Sequence, residues 1–254
     1  MSILISGDFH ANADNELPLI SESNLIKKYF QKFYDEINYH VILGDGSFLW
    51  PNGETFEFLN YLELSKRPFP ILCVFGNHDP VLGRSDLPEV DIGIGEEVIL
   101  VNKEKPFVAY MKRGKEYKIE GHIFLVLGGA LSIDKKFREP EKSWWKQEYW
   151  TETEKKNLFK LLKRNRNFDY VLSHTGPRRI NNKIIPLQRD GTRQNFFDEV
   201  AALNEKIDCK ITCRQWFCGH LHRDRYYYDE ELERGYQYLY RKTALLCGDK
   251  TIII

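Results

Sequence analysis

The chain has 254 residues with 37 basic and 37 acidic side chains, so its formal net charge is zero. Because it has no net positive charge, it lacks the electrostatic field that drives nonspecific binding to nucleic acid. We therefore do not favour nucleic acid as a partner. The sequence contains no apolar run of about 18 residues, the length that a membrane-spanning helix needs. Its N-terminus lacks the pattern of a secretory leader. We expect a cytoplasmic protein with no membrane partner.

The five cysteines are odd in number and do not form the framework of a small disulfide-bonded protein. Cys209, Cys213 and Cys218 lie close together, but they lack the paired CxxC spacing of a structural zinc site. We expect reduced thiols and disfavour zinc binding by cysteine.

The first half of the chain alternates short apolar runs with amphipathic segments, the pattern of a layered α/β domain. Compact apolar runs at residues 3–6, 40–43 and 71–75 predict three buried strands. Residues 23–37 place apolar side chains at helical spacing, and a second amphipathic stretch lies around residues 56–62. The order is that of a strand, helix, strand unit.

The second half predicts further strands and two helices. Strand-like runs between residues 98 and 127 are separated by turn residues and suggest antiparallel strands that continue the sheet. Thr151 and Glu154 have the spacing of a capping box, so we expect a helix to begin there. The remaining elements are strands at residues 170–173 and 216–218, a helix at 194–206, and β-rich sequence at 236–254.

Clusters of polar residues follow the predicted strands at their carboxyl ends. Open α/β sheets place ligand sites at this edge because the loops of neighbouring strands converge there. The clusters are Gly7-Asp8-Phe9-His10, Gly44-Asp45-Gly46, Gly76-Asn77-His78-Asp79, Ser173-His174 and Gly219-His220-Leu221-His222.

The clusters combine imidazole, carboxylate and amide donors. This mixture suits first-row divalent metals such as Mn, Fe, Co, Ni or Zn better than Ca or Mg. A single histidine or aspartate at a strand end is more often structural, because buried polar side chains commonly satisfy backbone groups. That reading gives no reason for such residues to recur at successive strand ends. We therefore expect a site for two divalent metal ions.

The ordered set of motifs spans residues 7–222 and resembles the calcineurin-like metallophosphoesterase superfamily. The resemblance implies an α/β fold, a four-layer α-β-β-α sandwich of two mixed β-sheets flanked by helices. From the length of the chain we expect a single domain over residues 1–254.

Carried over onto this sequence, the resemblance implies two metal ions that share the Asp45 carboxylate. His78 would act as the catalytic histidine that assists the leaving group, and Asp79 would orient it. The implied nucleophile is a hydroxide that bridges the two ions. One ion would be bound by Asp8, His10 and His222, and the other by Asn77, His174 and His220.

Two regions refine the resemblance. Residues 46–49 lack the Asp-Arg-Gly signature of the superfamily's protein Ser/Thr phosphatases, a branch that we disfavour. Residues 129–150 resemble a segment of a little-characterised group of bacterial and phage metallophosphoesterases, and we expect them to form an insertion at the rim of the site. Arg138 in this segment, and Arg178 and Arg179 after His174, are candidates for phosphate binding. The alternatives are a surface salt bridge for Arg138 and a solvated loop for Arg178 and Arg179.

We therefore expect metal-dependent hydrolysis of a phosphomonoester or phosphodiester, with a nucleotide among the candidate substrates. Two alternatives stay open. A single-strand nuclease would stack bases on Trp144, Trp145 and Trp150, although burial is the commoner use of such residues. A metal-supported interaction scaffold would lack turnover, but the complete ligand set and the catalytic histidine disfavour it.

Overall fold

The computed structural model describes residues 2–8, 35–46, 48, 69–80, 84–103, 107–185 and 198–253. Within these ranges the strands form one sheet of eight strands and one of six. The first sheet contains β1 (Ser2–Ser6), β2 (Ile37–Ile42), β3 (Ile71–Cys73), β4 (Glu89–Val90), β5 (Val98–Asn102) and β6 (Val108–Met111). The second contains β7 (Lys115–Ile119), β8 (His122–Leu127), β9 (Tyr170–Ser173), β10 (Gln215–Cys218), β11 (Arg225–Asp229) and β12 (Arg234–Tyr238). β13 (Thr243–Cys247) and β14 (Lys250–Ile253) return to the first sheet, where β13 pairs with β1.

Each sheet has a parallel centre. In the first sheet, β1, β2, β3 and β6 run parallel, and in the second, β8, β9, β10 and β12 do so. The registers are aligned at the carboxyl ends: Ser6 pairs with Ile42, and Ser173 pairs with both Leu127 and Cys218. The loops that follow these strands therefore leave each sheet at one edge.

The main core lies between the two sheets and arises from the two-residue period of the strands. Ile3 and Ile5 of β1 face Phe124 and Val126 of β8 in one buried cluster. The intervening Leu4 belongs to a separate cluster on the outer face of the first sheet. Alternation thus assigns each strand residue to the space between the sheets or to an outer layer.

Three helices within the described residues cover the outer face of the second sheet. They are α1 (Glu152–Arg164), α2 (Arg178–Ile184) and α3 (Glu199–Asp208). Leu158 of α1, Ile180 of α2 and Ile207 of α3 pack in one cluster with Leu125 and Trp216 of the sheet. The predicted fold class, an α/β sandwich of two mixed sheets with helices, is confirmed.

Several predicted elements occur at their expected positions. Thr151 and Glu154 form the predicted capping box at the start of α1, and the strand at residues 170–173 is β9. The helix predicted at 194–206 begins at Glu199, where the Asp198 side chain accepts hydrogen bonds from two backbone amides. The helical segments predicted at 23–37 and 56–62 lie almost wholly outside the described residues.

One expectation was wrong: residues 98–127 do not continue a single sheet. β5 and β6 belong to the first sheet, whereas β7 and β8 belong to the second. The chain crosses between them at Gly114, which adopts a positive φ of 73° that favours glycine. Tyr117 and Ile119 on β7 then contribute to the core between the sheets, which stabilises their position in the second layer.

No helix in the described part of the chain is long and apolar enough to cross a bilayer. The five cysteines, all of them among the described residues, are free thiols, as expected.

A buried arginine ties the start of α1 to the crossing between the sheets. The Arg113 side chain is 3% exposed, and its guanidinium donates to both carboxylate oxygens of Glu154, at 2.7 and 2.9 Å. It also donates to the backbone carbonyls of Gln147 and Tyr149. Burial raises the pKa of Glu154, but the bonds from Arg113 outweigh this and leave the pKa below its ordinary value.

We predict that Glu154→Gln lowers the free energy of unfolding by about 2 kcal/mol near neutral pH, because a buried guanidinium loses its charged partner. Since the pKa of Glu154 is lower in the folded state, the stabilisation is complete above its ordinary pKa of 4.5 and is lost as the pH falls through the folded value. Urea unfolding at several pH values measures both effects.

The matched control is Glu152→Gln, which removes an exposed carboxylate from the same helical turn and should change stability less. Equal losses in the two variants would contradict the role given to Arg113.

Candidate metal centre

The carboxyl ends of five parallel strands deliver the predicted ligands to one place. Asp8 follows β1, Asp45 follows β2 and Asn77 follows β3, all in the first sheet. His174 follows β9 and His220 follows β10 in the second sheet, with His222 two residues further on. His10 lies outside the described residues, so its position stays a prediction.

The centre is built around His174, which is fully buried between two carboxylates. Its Nε2 atom lies 3.3 Å from Asp45 Oδ2 and 2.9 Å from Asn77 Oδ1. Its Nδ1 atom lies 2.7 Å from the Leu43 carbonyl and 3.6 Å from Asp8 Oδ1. Ligand atoms of Asp8, Asp45 and His174 all fall within 4.8 Å of one another.

Two further imidazoles adjoin this group. His222 Nε2 lies 2.9 Å from Asp8 Oδ2, and the His222 ring stacks on Tyr240 with centroids 4.6 Å apart. The ring centroids of His220 and His174 are 4.9 Å apart. The structure therefore brings together five of the seven predicted ligands through direct side-chain contacts (Asp8, Asp45, Asn77, His174 and His222), with His220 beside them.

Backbone amides hold the two carboxylates. The His220 amide donates to Asp8 Oδ1 at 2.5 Å, and the His78 amide donates to Asp45 Oδ1 at 2.8 Å. Each carboxylate thus joins its own strand end to the loop of another strand. The Asp8 bond connects the two sheets, because Asp8 follows β1 and His220 follows β10.

Glycines permit this close approach of loops. A Cβ atom on Gly76 would lie 2.0 Å from Asp45 Oδ1, and one on Gly44 would lie 2.3 Å from His174 Nδ1. One on Gly219 would lie 2.3 Å from Asp8 Oδ1. Side chains at these positions would occupy space that the carboxylates and the imidazole fill.

The site also contains strained backbone. Six non-glycine residues in the described part of the chain have a positive φ, and three belong to this centre: Asp45 (51°), His220 (64°) and His222 (47°). This conformation costs about 1 kcal/mol or more per residue and tends to cluster at functional sites.

Burial and neighbouring charges shift the pKa values of three side chains in the centre. Burial lowers the pKa of His174, but the Asp45 and Asp8 carboxylates raise it to about 10. Burial and the charge of His174 lower the pKa of His220 to about 3. Burial raises the pKa of Asp8, but His174 and a hydrogen bond from His222 outweigh it, so the pKa is lowered. One imidazole is thus held protonated by two buried carboxylates, while its neighbour is held neutral.

These residues fit divalent metal ions. Two buried carboxylates need compensating charge, and a divalent cation supplies more of it than one protonated imidazole. Carboxylate, amide and imidazole donors match first-row metals, and a bound metal would displace the proton of His174. The hydrogen bond of His174 Nδ1 to the Leu43 carbonyl leaves Nε2 facing Asp45 and Asn77, as expected when a backbone partner orients a ligating imidazole.

A cavity of about 740 Å³ opens above the centre. Its lining includes Asp45, Asn77, His78, Arg138, Arg178 and His220. Arg138 is fixed there by Asp134, at 2.7 Å, and by the Ser143 carbonyl, and its Nη2 atom lies 3.4 Å from His78 Nε2. Arg178 is half-exposed and lies 3.4 Å from Glu205.

Asp79 is buried, and it follows His78, which lines this cavity. Its carboxylate accepts hydrogen bonds from the Tyr110 hydroxyl and the Gly76 amide, both at 2.8 Å. These bonds shape the loop that carries Asn77 and His78. The orienting role predicted for Asp79 toward His78 itself stays a prediction.

Other candidates have structural contacts. Arg179 forms ion pairs with Asp208 and Asp229 and a hydrogen bond with Tyr236, away from the cavity lining. Trp145 and Trp150 are each 4% exposed, so neither offers a ring face for base stacking.

Sequence reasoning missed one wall of the cavity. Asn181, Asn182 and Ile185, on and just after α2, belong to its lining. A signal for this helix existed: Pro177 precedes it, and Ile180 and Ile184 have the spacing of one helical face.

Comparison with known proteins identifies the class. A model of the calcineurin-like phosphoesterase family matches residues 1–224, and the chain therefore belongs to this family. Among solved structures, the chain is similar to Haemophilus influenzae NAD nucleotidase (NadN), with 13% sequence identity and a TM-score of 0.41. That match covers 100% of this chain and 55% of the nucleotidase, so the chain spans about half the length of that neighbour. A search of curated proteins found no match.

We predict that Gly76→Ala disrupts the centre, because the added methyl group would lie 2.0 Å from Asp45 Oδ1 and 2.3 Å from the Asp45 amide nitrogen. The affinity for Mn²⁺ should fall about tenfold or more, as it does when the support of a metal ligand is lost. Metal content per chain after gel filtration measures this. Gly93→Ala, where the methyl group would meet nothing within 4 Å, serves as the control and should keep its metal.

Proposed function

We propose that the protein hydrolyses a phosphate ester at this centre with two divalent metal ions. The carrying observation is the convergence of buried Asp8, Asp45 and His174, from both sheets, beneath a cavity lined by His78 and Arg138. Membership of the calcineurin-like phosphoesterase family supports the reaction class.

The proposed ligand sets share Asp45. One ion would be held by Asp8, His10 and His222, and the contact of Asp8 with His222 supports this grouping. The other would be held by Asn77, His174 and His220, a grouping supported by the contact of His174 with Asn77. When bound, the ions would supply Lewis-acid stabilisation of phosphoryl charge and activation of water.

His78 is the proposed acid that assists the leaving group. Its backbone amide is anchored on Asp45, so its side chain leaves the loop at the cavity wall beside the proposed metal ligands. An imidazole there can give a proton to the departing alkoxide oxygen. Arg138, held by Asp134 at 3.4 Å from the His78 ring, would bind a phosphate oxygen with its planar guanidinium.

The cavity suits a small phosphate ester. Its volume of about 740 Å³ lies within the range of small-molecule sites and would accept a nucleotide. Arg138 and Arg178 supply cationic groups for phosphate, and Leu131, Ile133 and Leu221 supply apolar contacts for the alcohol portion. Zero formal net charge favours such a substrate over a nucleic-acid polymer.

We predict opposite outcomes for two substitutions in the protein loaded with Mn²⁺. Asp45→Asn should lose both metal and turnover, because it replaces the carboxylate that both ions would share. His78→Ala should keep its metal but hydrolyse bis-p-nitrophenyl phosphate and p-nitrophenyl phosphate about 100-fold more slowly, because it removes only a proton donor. Metal analysis and steady-state kinetics on the same preparations measure this. Equal loss of metal in both variants would contradict the assigned roles.

We also predict that Arg138→Ala raises KM for these esters about tenfold, with metal content unchanged, because a phosphate contact is lost. Arg138→Lys should restore little of it, since an ammonium group cannot reproduce the planar fork. Arg178→Ala should have a smaller effect because Arg178 is half-exposed. Lys142→Ala, an exposed change in the same rim segment, is the control; an unchanged KM in Arg138→Ala would remove Arg138 from the substrate site.

A further inference from the structure

Glu148 is a buried carboxylate that the proposed reaction does not use. It is 2% exposed and accepts three hydrogen bonds. Trp144 Nε1 donates to Oε1 at 2.7 Å, while the Ser132 amide and hydroxyl donate to Oε2 at 3.0 and 2.7 Å. Glu148 therefore connects two parts of the rim segment (residues 129–150), because it bonds to Ser132 near the start and to Trp144 near the end.

Ser132 extends this contact to the metal centre. Its hydroxyl oxygen accepts a hydrogen bond from Asn77 Nδ2 at 3.1 Å. A carboxylate oxygen has no proton to donate, so the single hydroxyl proton of Ser132 lies on the side of Glu148. The oxygen lone pairs of Ser132 are thus left for Asn77, and Ser132 accepts from Asn77 without donating to it.

This directionality fixes the amide of Asn77. With its NH₂ group on Ser132, the Oδ1 atom lies on the opposite side, 2.9 Å from His174 Nε2. A flipped amide would place two acceptor oxygens together at Ser132 and turn NH₂, which does not ligate metals, toward His174. The contact with Glu148 therefore selects the orientation in which Asn77 presents its oxygen.

The frame of the rim segment is independently anchored. The Gly129 amide donates to the Phe75 carbonyl at 2.7 Å, and Trp150 Nε1 donates to the Gly128 carbonyl at 2.8 Å. Arg113 holds the backbone carbonyls of Gln147 and Tyr149. These bonds fix both ends of the rim segment. The effect of the bond between Glu148 and the Ser132 hydroxyl on Asn77 can therefore be separated from its effect on the fold of the segment.

We propose that Glu148 and Ser132 are positioning residues that hold the Asn77 amide in its metal-binding orientation. The proposal rests on the proposed function, because it assumes that Asn77 ligates one of two ions. In this protein the rim segment would thus determine the affinity of one metal position, in addition to lining the substrate cavity.

Isothermal titration of the metal-free chain with Mn²⁺ tests the proposal, with the thermal unfolding midpoint recorded for each variant. Ser132→Ala removes the acceptor, and Glu148→Ala frees the Ser132 hydroxyl to donate to a flipped amide. Each should weaken one of two Mn²⁺ sites about 10-fold or more and leave the other within about twofold.

Two variants separate this role from closing of the loop. Trp144→Phe removes the other bond of Glu148, so it should lower the unfolding midpoint but bind both Mn²⁺ ions as the wild type does. Glu148→Gln can keep its oxygen on the two donors of Ser132 and loses only the bond from Trp144 Nε1, because its NH₂ group would face that N–H donor. Its Mn²⁺ affinity should therefore also stay near that of the wild type.

The possible results are distinguishable. A wild-type chain that binds no Mn²⁺ would sink the proposed function. A wild type that binds two ions, with Ser132→Ala and Glu148→Ala binding both equally well, would overturn the positioning role alone. Weakening in Trp144→Phe as large as in Glu148→Ala would also overturn it, because loop closure would then account for the effect.

Discussion

The structure depends on two buried carboxylates, Asp8 and Asp45, placed on either side of one buried imidazole. Charge of this density inside a protein is unfavourable unless it is compensated, so the surrounding residues must either supply positive charge or bind a cation. The raised pKa of His174 follows from this arrangement, whereas burial and the charge of His174 lower the pKa of His220.

Hydrogen bonds made by residues of the metal centre also connect the two sheets. His174, from the second sheet, bonds to the Leu43 carbonyl of the first, and the His220 amide bonds to Asp8. Gly129, at the start of the rim segment, bonds to the Phe75 carbonyl just before the loop that carries Asn77. Contacts of the centre therefore also join the two sheets, and a change that separates the sheets also separates the proposed metal ligands.

The centre was largely predictable because local signals mark it. An apolar run followed by glycine and a polar residue indicates a strand end, and parallel strands align such ends without any knowledge of the wider topology. These local signals do not indicate to which of the two sheets each strand belongs. β6 ends at Met111 and β7 begins at Lys115, and the crossing at Gly114 between them places them in different sheets.

The supporting contacts were beyond prediction for another reason. Ser132 and Glu148 are 16 positions apart, and Ser132 is 55 positions from Asn77, so no periodicity links them. The burial of Trp145 and Trp150 likewise depends on how the rim segment folds back, which residue type alone does not determine. The assignment of His10 continues to rest on the motif in which it occurs.

The left-handed backbone at Asp45, His220 and His222 lowers the stability of the fold at three positions that the proposed function requires. Glycine would adopt these angles with no side-chain penalty. A laboratory evolution experiment that rewarded heat resistance alone would therefore favour glycine there and eliminate the proposed metal ligands. Consensus or thermostability engineering of this scaffold should hold these codons constant and seek its gains in the outer layers.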